Sequence, residues 1–554
     1  MVKEITVCSD YLLIPVRTEE ENKKLSIYEG ETKLYEFAVP VGEGGESYAF
    51  HYYAAVPVSE WKGKRITVGG DVPESFLDAL ALSDSIPHNK QQHPLVHFAP
   101  DTGWLNDPNG MIYHEGVYHL FFQHNPFDVR WENMSWGHAV SSDLLHWRQK
   151  EDALFPDEDG TMYSGCGIVN ERGELGLGKE AEIFFYTCAG NQSAWSKGKK
   201  FVQKAAYSLN HGESLVKLDG CILEHLVGEN RDPKIYWHEK RGVYYMALYL
   251  DGNEYAILNS KDLAHWETTQ KLTLARAWEC PDLREIPVEG GGSRWMFWSA
   301  DGYYFLGDFD GSRFETDGIC HEAYQSMLPY AAQTFWGPER VIMIPWMRTN
   351  NKGKIYRGMM GIPRQLTLVE RDGDYLLRQK LVDEWEEKKE KVFDWRPGKE
   401  GGCGTESHCA RYEQKQRAAV EVIVWLEENA DFTVDIYGTA CTYEAQKAAL
   451  KMEGIAERSE GVKAAVRLGD KEGMSEEEPE IRYVRLNGSL AGEAGKGKKV
   501  SFLSDGEILE VTVDDGLACG AFETKVDAMG GEIRMQVNAE ARIEIFQVME
   551  TGKA

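Results

Sequence analysis

The sequence predicts an all-β protein in which a propeller-like middle region lies between two smaller β modules. Three observations predict it. Short apolar stretches punctuated by Gly, Pro, Asn and Asp recur along the chain. A pattern of several elements repeats within the middle region, and helical composition is clearest in a single charged linker. At 554 residues the chain exceeds what one hydrophobic core accommodates, so several modules are expected.

The first module spans 1–88, where ITVCSDYLLIPV, KLYEFAVPV, YAFHYYAAVPV and RITVGG alternate with polar turns as half-buried antiparallel strands do. Residues 83–100, rich in Pro, His and Asn, form a connector. The middle region, 93–380, carries the repeat. Ser141-Ser142-Asp143-Leu144-Leu145-His146-Trp147 recurs as Ser260-Lys261-Asp262-Leu263-Ala264-His265-Trp266. Each copy is preceded by Asp-Pro (Asp107-Pro108 and Asp232-Pro233), a strand, and Gly-Val-Tyr (116–118 and 242–244). Ordered repetition of strand, strand, strand and motif is what four-stranded propeller blades produce. Residues 381–395, LVDEWEEKKEKVFDW, read as a helical linker. A second β module, most simply a sandwich, follows over 396–554, with an acidic surface loop at 472–482.

Composition narrows the function. With 61 basic and 90 acidic residues the formal charge is −29, which disfavours nucleic acid and anionic lipid as partners. The N-terminal segment has no basic region leading into an apolar run, and no stretch of 18 apolar residues occurs. The 10 cysteines are scattered without a CxxC pair, which fits free thiols in a reducing compartment. A cytoplasmic location is therefore expected. The histidines show no HExxH or comparable ligand spacing, so no metal and no cofactor is expected.

Three acids stand out. Asp107 and Asp232 hold equivalent positions in the repeat, and Glu279, in Trp278-Glu279-Cys280-Pro281-Asp282, also precedes a Pro and an apolar stretch. In a propeller such positions converge beside the central channel although they are far apart in sequence. Glycoside hydrolysis needs one ionised and one protonated carboxyl group across the scissile bond, and strand starts on a rigid scaffold can hold both. Asp before Pro also initiates ordinary turns. Two neighbours favour chemistry: Asn106 beside Asp107, and Arg231, a fixed cation, beside Asp232.

The ordered series WLNDPNG (104–110), FFQHNP (121–126), RWENMSWGHAVSSDLLHW (130–147), YSGCG (163–167), RDPK (231–234), WECPDL (278–283), YAAQTF (330–335) and GIPRQLTL (361–368) resembles glycoside hydrolase family 32, the invertase, inulinase and levanase type. The resemblance is strong over 93–390 and weak in the C-terminal module, where LSDGEILEVTVDDG carries it. It implies a five-bladed β-propeller followed by a β-sandwich, and retaining hydrolysis of terminal β-fructofuranosides such as sucrose, fructo-oligosaccharides or fructans. It further implies Asp107 as nucleophile, Glu279 as general acid/base and Asp232 as transition-state stabiliser. Matching sugar-binding positions are Asn106, Gln123, Trp131, Ser164 and Arg231. From the residues alone, Trp131 is equally readable as core and Ser164 as a turn residue. Cys280 is expected to be a packed thiol, since no His pairs with it in the motif.

The chain departs from the family in two places. Residues 324–329 read YQSMLP where many members carry an Asp-containing stretch, and the N-terminal β domain is absent from minimal invertases. Two rivals remain open at this point: a fructosyltransferase on the same site, and a non-catalytic sugar-binding propeller, which would be expected to lack at least one of the three acids.

Overall fold

A computed structural model describes residues 1–87, 93–316, 318–371, 373–397, 408–426, 430–444, 449–456, 482–485, 498–538 and 541–549. The centre of the 83–100 connector and all but the last residue of the acidic stretch 472–482 lie outside them. The architecture is all-β, as expected.

Residues 1–87 form a four-stranded sheet and a three-stranded sheet around one core. Strand Asn22–Glu29 buries Leu25 and Ile27 on one face, and Tyr11–Val16 is buried along its length. Phe127, from the middle region, enters this core and stacks on Phe37 with centroids 4.1 Å apart. The contact continues in polar form. Ala38 N–H donates to Asn133 Oδ1 and Asn133 Nδ2 donates to the Ala38 carbonyl, both at 2.8 Å, while Arg130 Nη2 donates to the Glu20 carbonyl at 2.7 Å. The N-terminal module thus grips the loop that carries Trp131.

The middle region contains five consecutive sheets opened by strands Gly103–His114, Thr161–Val169, Arg231–His238, Asp282–Pro287 and Pro329–Thr334, antiparallel except where the short strand Tyr356–Arg357 runs parallel to Gly103–His114. The first three opening strands lie side by side, and the fifth returns to contact the first. The repeated Ser-x-Asp-Leu-x-His-Trp motif has a local cause. Asp143 Oδ1 accepts the N–H groups of Leu145 and His146 at 3.1 and 2.9 Å, His146 Nδ1 meets Asp143 Oδ2 at 2.8 Å, and Trp147 Nε1 donates to the Leu144 carbonyl at 3.0 Å. The second copy reproduces each bond from Asp262. Both central leucines, Leu144 and Leu263, take φ of 63° and are fully buried.

The linker departs from expectation. Only Asp383–Lys388 is helical, and Glu390–Trp395 is a strand paired with Ala541–Met549. The pairing sets Phe393 against Ile545 and Trp395 against Ile543, so an edge position next to an apolar strand outweighs the charged composition. Beyond it, a five-stranded and a six-stranded sheet share one hydrophobic core.

Strand Lys498–Val513 fastens this C-terminal unit to the middle region. Asp505 accepts the backbone N–H groups of Leu95, Val96 and His97 at 2.8, 2.9 and 3.1 Å and meets His97 Nδ1 at 3.0 Å. Glu510 meets His97 Nε2 at 3.1 Å, accepts the Ile362 N–H at 3.0 Å, and pairs with Arg364. These contacts explain the LSDGEILEV segment.

Candidate active site

The residues singled out in the sequence collect where opening strands break register. Bulges fall between Leu105 and Pro108, Met162 and Gly165, Arg231 and Lys234, and Tyr330 and Gln333. Asn106, Asp107, Ser164 and Asp232 lie inside them, and Glu279-Cys280 immediately precede the fourth opening strand. A bulge bends its strand and re-aims a side chain, and the prolines at 108 and 233, which lack an N–H, are tolerated where the ladder is interrupted. Non-glycine residues with left-handed backbone cluster here: Asp232 (φ 63°), Glu279 (49°), Cys280 (37°) and Ala331 (49°). Such strain persists only where surrounding structure enforces it. Gly165 of the YSGCG motif is required sterically, since a Cβ there would lie 1.9 Å from the Phe185 carbonyl oxygen.

Asp107 accepts a 2.6 Å hydrogen bond from Ser164 Oγ. Asp232 is fixed through its backbone N–H to Thr187 Oγ1 at 3.0 Å, and its Oδ2 accepts the Cys280 N–H at 3.1 Å. The Cys280 thiol lies 3.5 Å from both Asp107 Oδ2 and Asp232 Oδ2, bridging the two acids. Glu279 receives Arg231 Nη2 on Oε1 and the Tyr330 hydroxyl on Oε2, both at 2.6 Å. Arg231 also lies 3.9 Å from Asp232 and packs over the Tyr249 ring. Carboxyl groups from three sheets thus share one small volume.

Burial and mutual repulsion set its electrostatics. Asp232, 3% exposed, is pushed up to about 7 by desolvation, with Asp107 and Glu279 adding to the rise and Arg231 opposing it. Asp107 is raised for the same first reason, against the Ser164 bond. The Cys280 thiol is pushed well above its ordinary value by burial and the acids around it, so it is a donor here and not a thiolate nucleophile.

The remaining expected residues divide. Asn106, Ser164 and Arg231 join the cluster; Trp104 Nε1 holds Asn106 Oδ1 at 2.8 Å. Gln123 is buried and donates to the Met162 carbonyl at 2.9 Å, at the foot of the second bulge. Trp131 is 46% exposed and meets the Tyr163 ring edge-on, so it is not a core residue. Sequence reasoning assigned no role to Tyr330, although it heads the YAAQTF motif and flanks the fifth strand's bulge as Arg231 flanks that of the third. The Arg348 guanidinium over its ring, 4.5 Å from the centroid, was missed as well. A separate cavity of about 1180 Å³, lined by Arg130, Arg357, Glu507 and Glu523 among others, contains none of the expected site residues.

A buried set of acids with one arginine, presented by rigid strands, is a glycosidase type of site. The comparisons make the class specific. Residues 97–380 match the model of the glycosyl hydrolases family 32 N-terminal domain, just over half of the chain, and the protein belongs to that family. A levanase of Bacillus subtilis is 36% identical over 259 residues, covering 42% of this chain and 37% of the levanase. A fructan beta-fructosidase of Streptococcus mutans is 30% identical over 57% of this chain, so the chain spans well under half the length of either relative, 37% and 24%. In fold it is similar to exo-inulinase from Aspergillus awamori, with a TM-score of 0.68 at 21% identity over 84% of this chain and 99% of the other. It is likewise similar to a fructofuranosidase from Schwanniomyces occidentalis, with a TM-score of 0.69 at 20% identity over 85% and 100%.

Proposed function

We propose that the protein is a retaining β-fructosidase that removes terminal fructofuranosyl units from sucrose, fructo-oligosaccharides or fructans. One observation carries it: Asp107 and Asp232 are bridged by a single thiol, and Glu279 of the neighbouring strand start is held between Arg231 and Tyr330. The five sheets are read as five propeller blades over 93–380, the paired C-terminal sheets as a sandwich over 396–554, and 1–88 as a separate N-terminal domain. The scattered spacing of the cysteines, without a CxxC pair, supports a reducing, cytoplasmic setting.

In the first step an Asp107 oxygen bonds to the fructosyl C2 while the C2–O bond to the leaving group breaks and Glu279 delivers a proton to the departing oxygen. Asp232 and Arg231 hold ring hydroxyls, and the Asp232 carboxyl group opposes the positive charge that develops on the ring. In the second step Glu279 takes a proton from water, which attacks C2 and frees Asp107. Ser164 keeps the Asp107 oxygens oriented, and the half-exposed Trp131 offers an apolar face for the sugar.

Assay of the purified chain on sucrose, kestose, inulin and levan tests the activity. Release of free fructose from chain ends is expected. Products with added fructosyl units at high sucrose would instead assign a transferase, and inert behaviour on all four would defeat the proposal.

A further inference from the structure

At the opposite end of the first opening strand from Asp107, side chains that no part of the hydrolytic site uses converge. His114 closes that strand, Glu182 begins strand Glu182–Ala189 of the second sheet, and His211 sits in the turn after strand Val202–Ser208. One nitrogen or oxygen from each lies within 4.8 Å of the others. His114 Nδ1 meets Glu182 Oε1 at 2.8 Å, while the second oxygen, Oε2, is buried without a hydrogen-bond partner among the described residues. Glu182 is only 1% exposed. A buried carboxylate oxygen left unpaired is costly, and native structures rarely keep one without a ligand to meet it.

The turn that presents His211 is built to hold it. Ser208 Oγ accepts the N–H groups of Asn210 and Gly212 at 3.2 and 2.9 Å, and Asn210 Oδ1 accepts the Ser214 N–H at 3.1 Å. His211 takes φ of 55°. A Cβ at Gly212 would stand 2.9 Å from His119 Nδ1, so only glycine lets the turn lie this close against the first sheet.

We propose that His114, Glu182 and His211 form a zinc(II) site that ties the first sheet to the second. Two imidazoles and a carboxylate are the donor set that suits a borderline cation such as zinc, and bonds of about 2.0–2.2 Å require only a small inward movement of the exposed His211 ring. With His114 Nδ1 on the metal, its proton sits on Nε2 and faces Glu180 Oε2, now 3.9 Å away, the outer carboxylate partner that metal-bound histidines use. Glu115 Oε2, 3.6 Å from His211 Nε2, or a water fills the fourth position. The site lies seven residues from Asp107, roughly 20 Å along the strand, so occupancy stabilises the sheet pair without altering the chemistry.

The test uses the full chain stripped with a chelator and titrated calorimetrically with zinc chloride. One equivalent is expected to bind with a Kd of roughly 1 μM or tighter, to raise the melting temperature by at least about 2 °C, and to be replaced by cobalt(II) with the visible absorption of a tetrahedral centre. His211→Ala, a change at an exposed side chain, and Glu182→Gln should each weaken binding by at least about 10-fold, while Asp107→Ala binds as the parent does. Absence of stoichiometric uptake, an octahedral cobalt spectrum, or unchanged affinity in His211→Ala would overturn the site.

Discussion

Two clusters of buried charge in this molecule are composed of similar residues and behave in opposite ways. At the strand starts, Asp232 and Glu279 share one arginine, and Asp107 joins Asp232 through the Cys280 thiol. At the seam with the C-terminal sheets, Asp505 and Glu510 share His97 and Arg364. Burial opposes ionisation in both. At the seam, cations and backbone N–H groups overcome it: Glu510 is pulled down to about 2, Asp505 is lowered, and His97 is raised to about 9. At the strand starts, acids face acids and Asp232 rises to about 7. A satisfied cluster fastens modules together; an under-compensated one stores the proton affinity that chemistry draws on.

The largest separation between the clusters should come from Glu279→Ala. Hydrolysis of sucrose is expected to fall by about 10²–10⁴-fold, whereas an activated aryl fructoside, whose leaving group needs no proton, should lose far less in the first step. Added azide should partly restore turnover of the activated substrate by occupying the vacated space and attacking C2. Equal loss on both substrates with no azide effect would remove Glu279 from the acid/base role.

Asp232→Asn should cost about 10²–10³-fold in kcat because hydrogen bonds that tighten with ring charge are lost. The same change relieves an uncompensated buried carboxyl group, so the melting temperature should rise by a few degrees. A fall in both quantities would make Asp232 a structural acid like those at the seam. Glu510→Ala reverses the pattern. It leaves Arg364 without its carboxylate and His97 Nε2 without its partner, and should destabilise by about 3–5 kcal/mol while leaving kcat on sucrose within about twofold wherever the protein is folded. Calorimetry and assay on one preparation read both.

The smallest effect is in pH. His97 has its folded value raised to about 9 from 6.5, so its contribution is fully present below about 6.5 and disappears as pH rises through 9. Glu510, lowered to about 2 from 4.5, contributes fully above about 4.5 and loses this as pH falls through 2. The melting-temperature gap between the parent and His97→Gln should therefore be widest between about pH 4.5 and 6.5 and narrow by pH 9. A gap that is flat to pH 9 would mean that His97 is held neutral.

What was legible in the sequence follows the range of the interactions. The Ser-x-Asp-Leu-x-His-Trp motif encodes a turn whose bonds all close within a few residues, and so it repeats visibly. Asp107, Asp232 and Glu279 were legible because each sits beside a proline or a fixed neighbour that marks its strand start. Tyr330 was not, since its bond to Glu279 spans 51 residues and an opening tyrosine looks like any core aromatic. The pairing of His97 with Asp505 spans 408 residues, and no local pattern announces it. The linker failed for a related reason: Glu390–Trp395 is a strand because Ala541–Met549 lies beside it.

The identity of Asp107 as nucleophile is tested most directly by the anomer of fructose first released. Proton NMR of an activated fructoside during the earliest turnover, before mutarotation, should record β-fructofuranose as the initial product, because two displacements at C2 restore the starting configuration. Initial α-fructofuranose would mean direct attack by water, a wider separation of Asp107 and Glu279 than the roughly 5–5.5 Å that a retaining pair needs, and no covalent role for Asp107.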